Sequence, residues 1–236
     1  MTTQRSQTLA NADLHEAYEL GTLAQSLGQA RRAFALYRSE IARTGYYKAY
    51  YNLGTLLEER GRYGEAIQAF KRAIKGCPRL HLAYNYLGLI YTQLTRPKEA
   101  ARAFSRAIQL NKRDPVPINN LGLTYWRSGR VREAENAFRK ALSLAPRNPQ
   151  AATNLGDLLV SEGISISEGI ALLRKARRIC PRDPEILVCL ASACLKRGAL
   201  MEARRLVREV ERLRPETRSV VRQLRRVRTA IANEAQ

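Results

Sequence analysis

The amino-acid sequence predicts an all-α protein built as a solenoid of stacked antiparallel helix pairs. Three observations lead to this fold class: a repeat of 34 residues, apolar residues at helical spacing, and glycines and prolines where helices would turn or end. The repeat is clearest in a Leu-Gly pair that recurs at Leu53-Gly54, Leu87-Gly88, Leu121-Gly122 and Leu155-Gly156. Repeats of this length typically fold as one helical pair each.

Each repeat contains two amphipathic helical segments. In the first segment of the second repeat, Tyr50, Leu53 and Leu57 recur at spacings of three and four residues and therefore share one helix face. In the second segment, Phe70 and Ala73 share a face in the same way. One helical pair cannot bury both of its apolar faces, so neighbouring pairs must stack to form a continuous core.

The period divides most of the chain into six repeats. They span residues 14–46, 47–80, 81–114, 115–148, 149–183 and 184–217. The second, third and fourth repeats share the most positions, whereas the first is one residue short and the fifth carries one extra residue. Atypical units of this kind are expected toward the ends of a stack.

The two segments outside the repeats are expected to differ from each other. We expect residues 1–13 to form a flexible N-terminal segment. We expect residues 218–236 to form a basic amphipathic capping helix and tail, because Val220, Leu224 and Val227 fall on one helix face. A helix with one apolar face and one charged face is suited to closing the end of a stack.

The recurring residues resemble the tetratricopeptide repeat (TPR) signature, in which aromatic residues, Leu-Gly, alanines and a closing proline hold fixed positions. In the second repeat these residues are Tyr50, Leu53, Gly54, Ala66, Phe70, Ala73 and Pro78. The resemblance covers residues 14–217. It implies a right-handed superhelix whose concave groove is lined by the first helix of each repeat and binds peptides or partner proteins.

The resemblance also implies which residues line the peptide-binding groove. They are Tyr51, Asn52, Asn85, Tyr86, Leu89, Asn119, Asn120, Leu123, Trp126, Arg127 and Asn154. Asn52, Asn120 and Asn154 hold the sixth position of their repeats and resemble an asparagine ladder, in which each amide offers a donor and an acceptor to an extended peptide. Alternatively, these asparagines cap or support neighbouring helices, and Trp126 packs between repeats.

A different TPR binding mode, the carboxylate clamp that docks chaperone tails, is disfavoured. That clamp requires a lysine at the fifth position of a repeat. The fifth positions here hold Tyr18, Tyr51, Asn85, Asn119, Thr153 and Val188. The basic composition of the chain therefore does not indicate a clamp.

The chain is strongly basic, with a formal net charge of +20. Half of this excess lies in residues 171–236, which hold seventeen Lys and Arg against seven Asp and Glu. The predicted basic surface comprises Arg174, Lys175, Arg177, Arg178, Arg218, Arg222, Arg225 and Arg226. Three interpretations stay open: a solvated face in an arginine-rich chain, a dock for an acidic protein, or a phosphate-binding surface for nucleic acid or an anionic membrane. The basic helices lack interleaved aromatic residues that would stack on bases.

The sequence gives no indication of catalysis, a metal site or a cofactor. It contains two histidines, His15 and His81, and four cysteines without a CxxC pair. It has no phosphate-binding glycine-rich loop, nucleophile elbow or HExxH motif. No apolar run approaches the length of a membrane span and the polar start lacks a signal-peptide pattern, so we expect a cytoplasmic location.

These observations predict a non-catalytic interaction scaffold, adaptor or assembly factor that binds an extended peptide or a partner protein in its concave groove. An acidic protein partner is expected on the basic C-terminal end. The alternative is a nucleic-acid-associated helical-repeat protein that uses the basic C-terminal half. Six-repeat proteins that assist type IV pilus secretins are similar in size, but they are lipoproteins. The absence of a lipobox cysteine near residue 1 counts against that role.

Overall fold

The computed structural model describes residues 15–234, and within them it contains thirteen α-helices and no strand. The all-α fold class predicted from the sequence is therefore confirmed. The predicted flexible segment, residues 1–13, lies outside the described residues. The chain divides into two compact units, Met1–Lys112 and Arg113–Gln236.

Unit 1 contains three helical pairs in its described part. Its helices are α1 (Glu16–Ser26), α2 (Ala30–Thr44), α3 (Tyr47–Glu59), α4 (Tyr63–Gly76), α5 (His81–Gln93) and α6 (Pro97–Leu110). The two helices of each pair pack along each other, and the second helix of one pair also contacts the first helix of the next. The inner helices α2 to α5 are thereby covered from more than one side, as a stacked core requires.

Unit 2 contains three further pairs and one final helix. Its helices are α7 (Pro115–Arg127), α8 (Val131–Leu144), α9 (Pro149–Ser161), α10 (Ile166–Ile179), α11 (Pro184–Lys196), α12 (Leu200–Arg212) and α13 (Arg218–Asn233). The final helix α13 packs against both α11 and α12. Its apolar face buries Val220, Leu224, Val227 and Ile231, so the charged face alone remains toward solvent.

The recurring Leu-Gly pair has a steric cause that is visible in both units. A Cβ atom on Gly88 would lie 2.5 Å from Cε1 of Phe104, and one on Gly122 would lie 2.6 Å from Cε1 of Phe138. Both phenylalanines are almost fully buried. The first helix can therefore approach the ring of the second only where it carries no side chain, because contacts this short do not occur between real side chains.

The first helices of unit 2 begin with a shared capping arrangement. Their N-caps are Asp114, Asn148 and Asp183, whose side chains accept hydrogen bonds from the backbone N–H groups of Val116, Ala151 and Glu185 at 3.0, 3.1 and 2.9 Å. Each cap is followed by a proline in the first turn. The proline has no N–H to leave unpaired, and its fixed φ suits the first turn of a helix.

The two ends differ in how they are covered. In α1, Leu23 is 55% exposed, whereas Leu56, which holds the same repeat position in α3, is 1% exposed. Leu20 and Leu27 are also exposed on α1. Unit 1 thus leaves an apolar helix face uncovered by its described residues, while α13 covers the corresponding apolar surface at the end of unit 2.

Candidate peptide-binding surfaces

In unit 1, three side chains predicted for the groove, together with Tyr18 and Leu82, form a largely aromatic surface on the first helices. We call it the unit 1 surface and define it as Tyr18, Tyr51, Leu82, Tyr86 and Leu89. The rings of Tyr51 and Tyr86 meet edge to face, with centroids 5.7 Å apart. Four of the five side chains are half-buried and Leu82 is exposed. The surface therefore packs against the protein on one side and faces solvent on the other.

The hydroxyl groups of Tyr18 and Tyr51 on this surface stay protonated at physiological pH. Burial, together with the neighbouring Tyr86 hydroxyl, raises the pKa of Tyr51 to about 12. Burial also raises the pKa of Tyr18. A neutral phenol can both donate and accept a hydrogen bond, so these groups are able to pair with either an N–H or a C=O of a bound chain.

Two asparagines predicted for the groove in unit 1 have internal roles. Asn52 donates from Nδ2 to the hydroxyl oxygen of Tyr37 at 3.1 Å, and that hydroxyl in turn donates to Oε1 of Gln25 at 2.8 Å. Tyr37 is fully buried, so Asn52 helps to satisfy a buried polar group. Asn85 lies buried within α5. The geometry at Asn52 supports the alternative in which the ladder residue holds neighbouring helices together.

In unit 2, two predicted groove asparagines bond to each other inside the stack. Asn154 in α9 donates from Nδ2 to Oδ1 of Asn119 in α7 at 2.9 Å, and its own Oδ1 accepts from Nε2 of Gln150 at 3.4 Å. Asn119 and Asn154 are 8% and 6% exposed. Their amides therefore join α7 to α9. Asn120 is half-buried on α7.

Trp126 links two successive repeats of unit 2. Its indole N–H donates to Oε1 of Glu162 at 2.8 Å, and its ring packs edge-on against Phe138 with centroids 6.4 Å apart. Leu123 packs beside it at the margin of the same apolar cluster, whereas Arg127 is exposed. The tryptophan is half-buried, so it contributes both to packing and to the outer surface.

A polar patch on the first helices of unit 2 involves one side chain that the sequence reasoning did not assign. Gln223 of α13 donates from Nε2 to Sγ of Cys189 in α11 at 3.6 Å. Nearby, Ser161 donates to Oδ1 of Asp157 at 3.2 Å. Burial raises the pKa of both Asp157 and Glu185 and holds the pKa of the Cys189 thiol well above its usual value. The spacing of apolar residues in α13 predicted a capping helix. That spacing gave no indication that Gln223 would contact Cys189.

The predicted basic surface divides into paired and unpaired arginines. Arg174 donates to Glu202 at 2.8 Å and Arg177 donates to Glu209 at 2.9 Å, which connects α10 to α12. Lys175 is half-buried. Within the predicted basic surface, the exposed arginines without a carboxylate partner among residues 15–234 are Arg178, Arg218, Arg222, Arg225 and Arg226. The uncompensated charge of this surface therefore lies mainly on α13.

Within the described part of the chain, no group of three or more His, Cys, Asp or Glu side chains could hold a metal ion. None of the helices between residues 15 and 234 combines the length and the apolar character needed to cross a membrane.

Comparisons with known proteins show which family the chain matches. The family model described as the Cilia and flagella-associated protein 70 C-terminal domain matches residues 1–224. Among curated protein sequences, none matches the chain.

Several solved structures share the fold. The chain is similar to the APC/C hetero-tetramer Cut9–Hcn1, with 19% identity and a TM-score of 0.77 over 94% of this chain but 45% of that chain. It is similar to Pseudomonas aeruginosa PilF, with 18% identity and a TM-score of 0.78 over 92% of this chain and 98% of that one. It is also similar to YrrB, described as a TPR protein with an unusual peptide-binding site, with 22% identity and a TM-score of 0.60 over 79% of this chain and 96% of that one.

Proposed function

The chain belongs to the TPR family described as the Cilia and flagella-associated protein 70 C-terminal domain, and from this premise we propose that it is a non-catalytic scaffold that binds an extended segment of a partner protein. The TPR fold supports a protein-interaction role in general. The finer proposal assigns the binding to the unit 1 surface. The observation that carries it is the edge-to-face pair of Tyr51 and Tyr86, held beside the exposed Leu82.

Aromatic side chains of this kind are suited to binding a peptide. Tyrosine contributes a large contact area while losing little conformational entropy on binding, since it has only two side-chain torsions. Here the rings are already fixed by packing: Tyr86 stacks on the buried Phe70 with centroids 5.2 Å apart. The hydroxyls of Tyr18 and Tyr51, which already contact Asn52 and Tyr86, pair in addition with the backbone of an extended ligand, while Leu82 and Leu89 contact its apolar side chains.

A bound peptide is not expected to contact the buried asparagines. Because Asn119 and Asn154 already satisfy each other, a peptide would gain little from them unless that buried bond broke. In unit 2 we assign peptide contact instead to Asn120, Leu123 and Trp126, which remain half-buried.

Selection from a displayed peptide library, followed by affinity measurement, tests the proposal. Peptides selected on the wild-type chain should bind Leu82→Glu at least about tenfold more weakly, a loss of about 1.4 kcal/mol, because a carboxylate would then face an apolar ligand. Met201→Glu is the matched control, since Met201 is an exposed apolar residue on α12. Equal affinity for both variants would remove the unit 1 surface from the binding site.

The exposed arginines of α13 favour a second candidate, nucleic-acid binding through the basic C-terminal half. If Arg222 and Arg225 contact phosphates, the affinity for a single-stranded RNA should fall steeply as salt is added. Replacing both arginines by alanine should reduce the slope of log affinity against log salt concentration by roughly two. A slope that is unchanged by the double replacement would rule out this use of α13.

A further inference from the structure

A cleft on the outer side of unit 1 has the features of a second binding site. It lies between the second helices α2 and α4 and has a volume of about 730 Å³. Tyr50, Leu53 and Leu57 of α3 form its floor, Phe34 of α2 forms one wall, and Arg38 and Arg72 stand at its edge. We call it the outer cleft. Its size falls in the range of cavities that hold one or a few side chains or a small ligand.

Positive charge is concentrated around the single phenyl ring of this cleft. The guanidinium carbons of Arg38, Arg60 and Arg62 lie 6.0, 6.0 and 5.6 Å from the centroid of the Phe34 ring. One carboxylate is present, on Glu65, and Arg62 holds both of its oxygens at 2.8 and 2.7 Å. Arg38 has no carboxylate partner in the described part of the chain, and neither does Arg72.

The repeat itself provides a comparison for Arg38. Arg139 holds the same repeat position in α8, and it donates to Glu135 at 2.9 Å and to Glu168 at 2.7 and 3.1 Å. In α2, the position of Glu135 is taken by Phe34. The guanidinium of Arg38 thus lies against a ring where its counterpart lies against a carboxylate.

The second carboxylate is lost for a different reason. Glu65 corresponds to Glu168 in the repeat register, but the residue three positions before Glu65 is Arg62, whereas the residue three positions before Glu168 is Ser165. Arg62 therefore captures Glu65, while Glu168 remains available to the arginine of the preceding repeat. Arg38 lacks both of the carboxylates that its counterpart contacts, and the cleft beside it is open.

We propose that the outer cleft binds an acidic segment of a partner protein that carries one bulky apolar side chain. Carboxylates of the segment pair with Arg38 and Arg72, as the two glutamates do with Arg139, because a guanidinium presents several donors to carboxylate oxygens. The apolar side chain rests on Leu53 and Leu57 beside Phe34. The short apolar floor of Tyr50, Leu53 and Leu57 favours a peptide over nucleic acid, which requires an extended basic track and several stacking platforms.

A fluorescence-polarisation titration tests this proposal on the full chain. The probe is a labelled peptide of alternating glutamate and serine with one central phenylalanine. Wild-type protein should bind it saturably below about 1 mM. Arg38→Gln combined with Arg72→Gln should weaken binding by about tenfold or more, because the variant loses both ion pairs.

The matched control combines Arg79→Gln with Arg102→Gln, which removes the same charge from exposed positions of unit 1 outside the cleft. It should change the affinity by less than about twofold. A probe with alanine in place of phenylalanine should bind at least about fivefold more weakly to the wild type, since it loses the contact with the apolar floor.

Three results would overturn the proposal. The first is the absence of saturable binding by the wild type. The second is equal weakening by the cleft variant and by the charge-matched control, which would show an effect of net charge alone. The third is displacement of the probe by a single-stranded RNA that binds more tightly and depends on the same arginines, which would assign the cleft to nucleic acid.

Discussion

Unit 1 and unit 2 are built from the same repeat, yet their first helices present different chemistry. The unit 1 surface is aromatic, with Tyr51 and Tyr86 in contact. The equivalent surface of unit 2 carries amides and carboxylates, with Asn119 and Asn154 bonded to each other below it. The contact between glycine and phenylalanine is the same in both units. The repeat signature therefore determines how helices pair, while the residues between its fixed positions determine what the stack presents to a ligand.

The largest expected effect on stability distinguishes α13 of unit 2 from α1 of unit 1. Leu224→Gln should destabilise unit 2 by about 2–3 kcal/mol, because it removes apolar contacts and buries an amide without a partner. Leu23→Gln in unit 1 should cost less than about 0.5 kcal/mol, because Leu23 is already exposed. Hydrogen exchange of the amides of α11–α13 and of α1–α3 measures both changes, since stacked repeats open in parts. Equal effects would show that α13 does not act as a cap.

A second prediction concerns the feature that the units share. Gly88→Ala and Gly122→Ala should each destabilise the protein by about 1–2 kcal/mol, because the added methyl group would meet a buried phenylalanine ring. Gly64→Ala in α4 is the control, since a Cβ there meets nothing within 4 Å. The control should be neutral or stabilising by about 0.5 kcal/mol through helix propensity. Urea denaturation of the three variants measures these changes. A loss of stability in only one of the two glycine variants would show that the glycine–phenylalanine contact differs between the units.

A smaller difference is expected between the internal amides. Asn154→Ala should cost about 1 kcal/mol or more, because the buried Oδ1 of Asn119 would lose its donor. Asn52→Ala should cost about 0.5 kcal/mol, because the Tyr37 hydroxyl would still donate to Gln25. Thermal denaturation of the two single variants distinguishes them. A greater loss for Asn52→Ala would reverse the assignment of the buried network to unit 2.

The last prediction concerns reactivity and leaves stability unchanged. Burial raises the pKa of the Cys194 thiol to about 11 and holds the pKa of the Cys189 thiol well above its usual value. Since the thiolate is the reactive form, alkylation of Cys194 in the folded chain should be slow at pH 8 and should rise about tenfold per pH unit until the pKa is approached. Cys77 in unit 1 and Cys180 in unit 2 are only half-buried and should react before the two buried thiols. Mass spectrometry of timed iodoacetamide labelling would show the order, and early labelling of Cys189 would contradict the packing of α13.

The helix pairs could be predicted from the sequence because their determinants recur. Gly88 must be small, Phe104 must fill the space beside it, and 34 residues later the same requirement returns. The internal bond of Asn154 could not be predicted in this way. It depends on the fifth position of the preceding repeat being Asn119, a residue whose amide can accept its N–H group.

The repeat pattern also could not predict the outer cleft or the contact of Gln223, because both depend on which neighbouring side chains bond to each other. The charge around Phe34 follows from the capture of Glu65 by Arg62, which a register of equivalent positions does not reveal. The contact of Gln223 with Cys189 follows from the position of α13 on α11, and no second copy of that helix exists among the repeats to indicate it.

Among residues 15–234, the exposed leucines of α1 make unit 1 the unit that a further helical pair could extend. A designed helical pair fused ahead of Glu16 would meet an apolar face already shaped by the repeat, with Leu20 and Leu23 ready to be covered. The same pair fused after Asn233 would meet arginines and would first require removal of α13. As far as the described residues show, a fused helical pair therefore fits on α1 and does not fit on α13.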